Sequence, residues 1–267
     1  MSGVSTPSEI VARLRAAGCV FAEDEAALLL AAAEGPADLS AMVERRVAGE
    51  PLEYVIGWAE FCGLRILVDP GVFVPRHRTQ LLVDQAVANL AEGSVVVDLC
   101  CGSGAVGAAL AAAVAGIELH AVDVDPSAVA CARRNLAAAG GHVYAGDLFA
   151  PLPPDLRGRV DLLAANVPYV PSAEIGLLPR EARLFEPRVA LDGGADGLDV
   201  VRRVAAGAPG WLAPGGRMLV ETSEAQAAAA AAVLSANGLL AEIARDPELE
   251  ATVVIGTSPA ARSGMGR

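Results

Sequence analysis

From residue 93 onward the chain repeats one unit: a short aliphatic run, a polar or glycine-bearing turn, then a helical stretch. "SVVVDLC" (94–100) precedes "CGSGAVGAALAAAV", "IELHAVDVD" (117–125) precedes "PSAVACARRNLAAAG", and "HVYAGDLF" (142–149) and "VDLLAAN" (160–166) follow. Strands that read as near-continuous apolar runs are covered on both faces, and strands alternating with helices pair in parallel. The pattern changes once. After the strand "GGRMLVETS" (215–223) and an alanine-rich helix at 224–236, "LLAEIARD" (239–246) and "ATVVIGTS" (251–258) are joined only by "PELE". Parallel neighbours need a crossover of about a dozen residues, so this last pair is antiparallel. The chain therefore reads as α/β: a doubly wound seven-stranded sheet, parallel except for an antiparallel last strand.

Ahead of the sheet, apolar residues recur at helical spacing over roughly 8–17, 23–34 and 38–48, with breaks at Gly18, Gly35-Pro36 and Gly49. Glu23 or Asp24, and Asp38, stand where a first helical turn favours negative charge. "WAEFCGLRILVDPGVFVPRHRTQ" then alternates with period two around Cys62-Gly63, a hairpin signal. The expected organisation is a helical domain at 1–50, a β-hairpin linker at 51–78, the sheet domain at 79–258 and a flexible tail at 259–267.

A chain of 267 residues, 54% hydrophobic, suits one large core with a small appendage. Its net charge of −12, without a clustered basic face, argues against direct nucleic-acid binding. "MSGVSTPSEI" lacks a basic segment followed by an apolar one, and runs such as "AQAAAAAAVL" are too short to span a membrane. Cys19, Cys62, Cys100, Cys101 and Cys131 show no paired spacing, and His77, His120 and His142 lack zinc spacing. These features lead us to expect a reduced, cytoplasmic, metal-free monomer with no membrane contact.

Four successive strands end in a polar residue: Asp98, Asp123, Asp147 and Asn166. One such ending is ordinary turn chemistry. Four at the carboxyl ends of neighbouring strands, where ligands lie in such sheets, describe a polar crevice. The turn "DLCCGSGAVG" brings Cys100, Cys101, Gly102, Ser103 and Gly104 to it. The glycines permit positive φ and close backbone approach, and Ser103 is placed to cap the following helix. Asp123 ends the next strand, where a carboxylate can hold both hydroxyls of a ribose. Gly102, Gly104 and Gly107 also satisfy G-x-G-x-x-G, so the glycines alone leave a nicotinamide dinucleotide open.

"VDLLAANVPYVPS" (160–172) narrows the choice. Its Asn166-Val167-Pro168-Tyr169 resembles the Asn-Pro-Pro-Tyr motif of methyltransferases that act on planar nitrogen. Together with "VDLCCGSGAVG", "AVDVDPSAVACARRNL", "EYVIGWAEFCGLRILVDPGVFVPR", "EARLFEPRVALDGGADGLD" and "MLVETSEAQ", it makes the chain resemble the protein-(glutamine-N5) methyltransferases, the HemK or PrmC family, over about residues 50–256. The resemblance implies a Rossmann-like class I methyltransferase fold. It implies S-adenosyl-L-methionine as cofactor, bound by Cys100, Cys101, Gly102, Ser103, Gly104, Asp123, Leu148 and Asn166, with Leu148 against the adenine. The catalytic residues it implies are Asn166, Val167, Pro168 and Tyr169, and the partner a protein substrate, a peptide chain release factor. The helical N-terminus would then be the substrate-recognition domain. The Asn166 side-chain oxygen and the Val167 carbonyl would accept the two N–H bonds of the substrate amide, with Tyr169 on its flat face.

Val167 departs from the first motif proline, and Cys100 from the first glycine of the cofactor turn. "PRHRTQ" stands for Pro-Arg-Pro-Glu-Thr-Glu, and "RDPELEATVV" for a segment usually containing glycine and arginine. Two other functions stay open: a related N-methyltransferase acting on a base amine or small molecule, and a non-catalytic partner-binding module. Arg76, His77 and Arg78 read as a solvated linker face, and Glu186 in "LFEP" as a residue that orders a loop.

Overall fold

A computed structural model describes residues 6–260. Helix α1 (Pro7–Ala16) opens with a capping box: the Thr6 hydroxyl accepts from the Glu9 N–H, and the Glu9 carboxylate accepts from the Thr6 N–H. Helices α2 (Ala22–Ala32) and α3 (Pro36–Val47) carry Glu23, Asp24, Glu25 and Asp38 in their first turns, where the helix dipole favours them. All three match the expected helices to within two residues at each end. Their apolar stripes, including Ile10, Leu14, Leu29, Met42 and Val43, form a core of their own with Val55. Val55 belongs to a short helix that the spacing did not reveal, α4 (Leu52–Ile56), ended by Gly57 at φ 83°.

The hairpin forms where alternation places it. Strands β1 (Trp58–Phe61) and β2 (Leu64–Leu67) are antiparallel, with Phe61 opposite Leu64. The two turn residues, Cys62 and Gly63, both have positive φ, as a tight hairpin turn of matching twist requires.

Beyond the linker the chain runs α5 (Gln80–Val87), β3 (Val95–Leu99), α6 (Ala105–Ala113), β4 (Glu118–Asp123), α7 (Pro126–Leu136), β5 (His142–Ala145) and β6 (Val160–Ala165). It continues through α8 (Arg180–Phe185), α9 (Asp199–Gly207), β7 (Leu212–Thr222), α10 (Ala227–Ala236), β8 (Leu240–Asp246) and β9 (Ala251–Thr257). The seven strands of the sheet lie in the order β5-β4-β3-β6-β7-β9-β8. β9 slots between β7 and β8 and is antiparallel to both, so the last strand is the reversed one.

Alternate residues of each strand serve opposite faces. Val96, Leu162, Ala164 and Leu219 pack with Leu82, Leu110 and Leu136 from α5, α6 and α7. Val97, Leu99, Leu163 and Val220 pack with Val201, Val204, Ala230 and Leu234 from α9 and α10. Strands buried on both sides explain their continuous apolar runs. Of the tail expected at 259–267, residues 261–267 lie outside the described residues.

One buried cation joins the N-terminal helices to the rest. Arg46 of α3 donates to Glu25 of α2 at 2.6 and 3.1 Å, to the Glu50 carbonyl at 3.0 Å, and pairs with Glu181 of α8 at 2.6 Å. Removing one member of such a pair leaves the other charge buried and uncompensated. Arg46→Met is therefore expected to lower the unfolding free energy by about 3 kcal/mol in chemical denaturation. A change within about 0.5 kcal/mol, the range of ordinary surface substitutions, would show that the pair is not needed.

Candidate active site

Register brings the site together. Leu99 of β3 pairs with Val122 of β4 on one side and with Ala165 of β6 on the other. The residues that follow, Asp123 and Asn166, therefore flank Cys100 at the carboxyl edge of the sheet. A cavity of about 800 Å³ opens there, and Asp98, Asp123, Asp147 and Asn166 all line it. Cys100, Cys101, Gly102, Ser103, Leu148, Val167, Pro168 and Tyr169 line it too. Gly104 does not. A Cβ at Gly104 would come within 3.2 Å of Ala132 and Leu136 of α7, so it serves the packing of the turn against that helix.

The turn is held by its neighbours. The Gly102 N–H donates to Asp123 Oδ2 at 2.8 Å, and the Asp125 N–H to Oδ1 at 2.9 Å. Cys101 N–H donates to the Val122 carbonyl at 3.0 Å. Cys100, Gly102 and Gly104 all have positive φ, and Cys100 adopts its 55° despite carrying a side chain. For a residue with a Cβ that conformation costs about 1–2 kcal/mol. The cap expected from Ser103 is not made. Gly104, at φ 79°, takes the position before α6, so Ser103 falls one residue too early for its hydroxyl to reach the first-turn N–H groups.

Burial sets the charge states. Asp98 is 1% exposed, and burial pushes its carboxyl up to about 7, against the Gly107 N–H that it accepts at 3.0 Å. Burial also raises Asp123, opposed by the N–H groups of Asp125 and Gly102. The Cys100 and Cys101 thiols are pushed up by burial and by the surrounding carboxylates, which keeps them protonated, and both are free.

The Asn166–Tyr169 segment is clamped from several directions. The Asn166 Nδ2 donates to Thr79 Oγ1 at 3.3 Å. Neither Asn166 Oδ1 nor the Val167 carbonyl accepts a hydrogen bond among the described residues. Behind the segment, Val170 exchanges backbone bonds with Leu191 and Gly193, at 3.0 and 2.9 Å. Gln226 Nε2 bridges the carbonyls of Tyr169 and Asp196, at 2.9 and 2.8 Å. Gly197 completes this clamp, since at φ 77° a Cβ there would sit 2.2 Å from the Tyr169 carbonyl.

The reading of Arg76, His77 and Arg78 as a solvated face holds for the exposed His77 and needs correction for the two arginines. Arg76 pairs with the buried Glu186 at 2.5 Å, and Glu186 also accepts from the Val74 N–H at 3.1 Å. Arg78 pairs with buried Glu221 at 3.2 Å. A basic triplet looks solvated when its partners lie more than a hundred residues away. Glu186, read as a residue that orders a loop, ties that loop to the linker at Val74 and Arg76. Sequence reasoning assigned no role to Thr79, Glu221 or Gln226, although all three fall within quoted segments, "PRHRTQ" and "MLVETSEAQ".

An open sheet of this strand order with one reversed strand, and an acidic cavity at its switch point, define the Rossmann-like class I methyltransferase architecture. The same fold is seen in a methyltransferase from Pyrococcus furiosus, at 17% identity and a TM-score of 0.55, covering 74% of this chain and 90% of that one. The Methyltransferase small domain family matches residues 63–176. The release factor glutamine methyltransferase of Geobacter sulfurreducens is 40% identical over 208 residues, 76% of this chain and 72% of that protein. That of Mycolicibacterium smegmatis is 39% identical over 232 residues, 85% of this chain and 81% of that protein. The chain belongs to the release factor glutamine methyltransferase family. A nicotinamide enzyme is thereby set aside. Its third glycine, Gly107, instead lets α6 approach Leu119 and donates its N–H to Asp98.

Asp98 makes the site's electrostatic cost measurable. Folding raises its carboxyl from 3.8 to about 7, so the stability linked to its proton is complete below pH 4 and is lost as pH rises through 7. Asp98→Asn keeps an acceptor for Gly107 without the charge. Its stability relative to wild type should be small at pH 4 and grow to about 4 kcal/mol in its favour at pH 8, roughly three pH units of raised carboxyl at about 1.4 kcal/mol each. Denaturation at the two pH values checks this, and an equal difference at both would contradict it.

Proposed function

We propose that the chain transfers a methyl group from S-adenosyl-L-methionine to the side-chain amide nitrogen of a glutamine in a peptide chain release factor. The observation that carries this reading is the pair of unengaged acceptors, Asn166 Oδ1 and the Val167 carbonyl, at the wall of a cavity shared with the glycine turn. Membership of a family whose named relatives are release factor glutamine methyltransferases supports the substrate.

The residues present fit the cofactor. Asp123 and Asp125 make the turn's end of the cavity acidic, Asp147 being paired there with Arg203, and this suits a cationic ligand, while Val124 and Leu148 supply apolar surface for a base. Each Asp123 oxygen accepts one backbone N–H and keeps a further lone pair for a ribose hydroxyl. Cys100, Cys101, Gly102 and Ser103 would hold the remainder. The bound cofactor supplies a methyl group on a positively charged sulfur.

An amide nitrogen is a poor nucleophile because its lone pair is delocalised. Two fixed acceptors orient its N–H bonds and stabilise the positive charge that grows on nitrogen as the new bond forms. Thr79 fixes which end of the Asn166 amide faces the substrate, because it engages Nδ2 and leaves Oδ1 open. The Val167 acceptor is backbone, so valine in place of proline preserves it. Tyr169 covers the flat face of the amide. After transfer the nitrogen loses one proton to water, and no side chain need serve as its base. The helices of residues 1–50 serve as the substrate-recognition domain. Their separate core, the exposed Val20 and Phe21, and the Arg46–Glu181 link to the cavity wall support that role.

Removing one of the two acceptors should slow chemistry far more than it weakens cofactor binding. Asn166→Ala is expected to lower single-turnover methylation of a release factor about 10²–10³-fold at saturating cofactor. Mass spectrometry of the release factor measures the transfer. Transfer at the wild-type rate would remove the amide clamp from the mechanism.

A further inference from the structure

Strand β7 carries a carboxylate into the core. Glu221 is 2% exposed, and its Oε2 has no hydrogen-bond partner among the described residues. Burying that oxygen forfeits its hydration without replacement, so the residue stays at a cost to stability. Oε1 indicates what is gained. It accepts from the Tyr169 hydroxyl at 3.1 Å and from Arg78 Nε at 3.2 Å. Tyr169 and Arg78 both line the cavity, and the Arg78 guanidinium lies 5.9 Å from the centre of the Tyr169 ring.

Tyr169 is thus tied at both ends, its carbonyl by Gln226 and its hydroxyl by Glu221. A ring held at its para oxygen cannot swing about the Cα–Cβ bond without breaking that contact, and the Arg78 guanidinium beside its face is the group that meets rotation about the Cβ–Cγ axis, which leaves the oxygen in place. The constraint matters more here because Val167 lacks the locked φ that proline would give the same loop. Arg78 is the counter-ion. Among the described residues it is the only cation within ion-pair distance of Glu221, which would otherwise be an uncompensated buried charge.

We propose that Glu221 is a positioning residue for methyl transfer, holding the Tyr169 ring against the acceptor amide while Arg78 compensates its buried charge. The proposal rests on the reading of Tyr169 given under Proposed function. It explains an arginine in the linker by a partner in β7, and it assigns to "MLVETSEAQ" a task in the reaction rather than in the sheet alone.

The test uses the full chain, labelled with carbon-13 at the tyrosine ζ position, and four forms: wild type, Glu221→Gln, Tyr169→Phe and the double variant. The Tyr169 resonance is the one missing from Tyr169→Phe, and Glu221→Gln should shift it. In single turnovers with release factor and saturating cofactor, Glu221→Gln and Tyr169→Phe should each slow transfer at least about tenfold, with cofactor Kd within about twofold of wild type. The double variant should be no slower than the slower single one, because Glu221→Gln weakens the contact, by taking away its charge, that Tyr169→Phe removes. Val167→Pro, which stiffens the loop independently, should recover part of the rate lost in Glu221→Gln. An unmoved resonance, or a double variant slowed by the product of the single effects, would overturn the proposal. So would a rate loss matched by loss of folded protein and cofactor affinity. Should Glu221→Gln not fold, Tyr169→Phe alone must still slow transfer, and a wild-type rate there overturns it. If wild type itself transfers no methyl group, the proposed function fails, and the resonance still decides whether Glu221 holds Tyr169.

Discussion

Parallel pairing of β3 with β4 and β6 is the constraint from which the site follows. With Leu99 opposite Val122 and Ala165, the two strands beside β3 end at the same edge, and the next residues along them are Asp123 and Asn166. The crevice needs no separate design, because strands that run the same way deliver their last side chains to one place. A slip of one residue in β6 would turn Leu162 and Ala164 from the α5–α6 face toward α9 and α10, and would withdraw Asn166 from the cavity. Close packing on both faces is therefore also what fixes Asn166 at the cavity.

The site stores cost where it needs shape. Cys100 takes a left-handed backbone, Asp98 and Asp123 are held above the usual carboxylate range by burial, and Glu221 keeps an unpaired oxygen in the core. Each is unfavourable alone, and the double-sided core around them compensates. A cationic ligand would turn the two raised aspartates from a liability into an attraction, consistent with an acidic pocket that is expensive when empty of positive charge.

Much of this was legible in the sequence, because the rules involved are local or periodic. Apolar runs, a short "PELE" link and the Cys62-Gly63 turn sufficed for the sheet, its reversed strand and the hairpin. The polar strand ends pointed to the cavity for the same reason. Contacts between distant segments were not legible. Thr79 meets Asn166 across 87 residues, Arg76 meets Glu186 across 110, and Arg78 meets Glu221 across 143. No spacing rule reaches that far, so two of the three basic linker residues read as solvent-facing although both are paired with buried carboxylates. Ser103 failed differently. Its residue type suits a helix cap, but the cap position depends on where the turn ends, and Gly104 at positive φ moved it by one residue.

The central claim is that the methyl group arrives on the nitrogen of a glutamine amide. Reaction of the full chain with methyl-carbon-13 cofactor and a release factor labelled with nitrogen-15 in its glutamine side chains tests it directly by NMR. The account predicts one new methyl signal in the release factor, split by a one-bond carbon–nitrogen coupling to a glutamine nitrogen. A labelled methyl group without that coupling, or a release factor carrying no label, would contradict it.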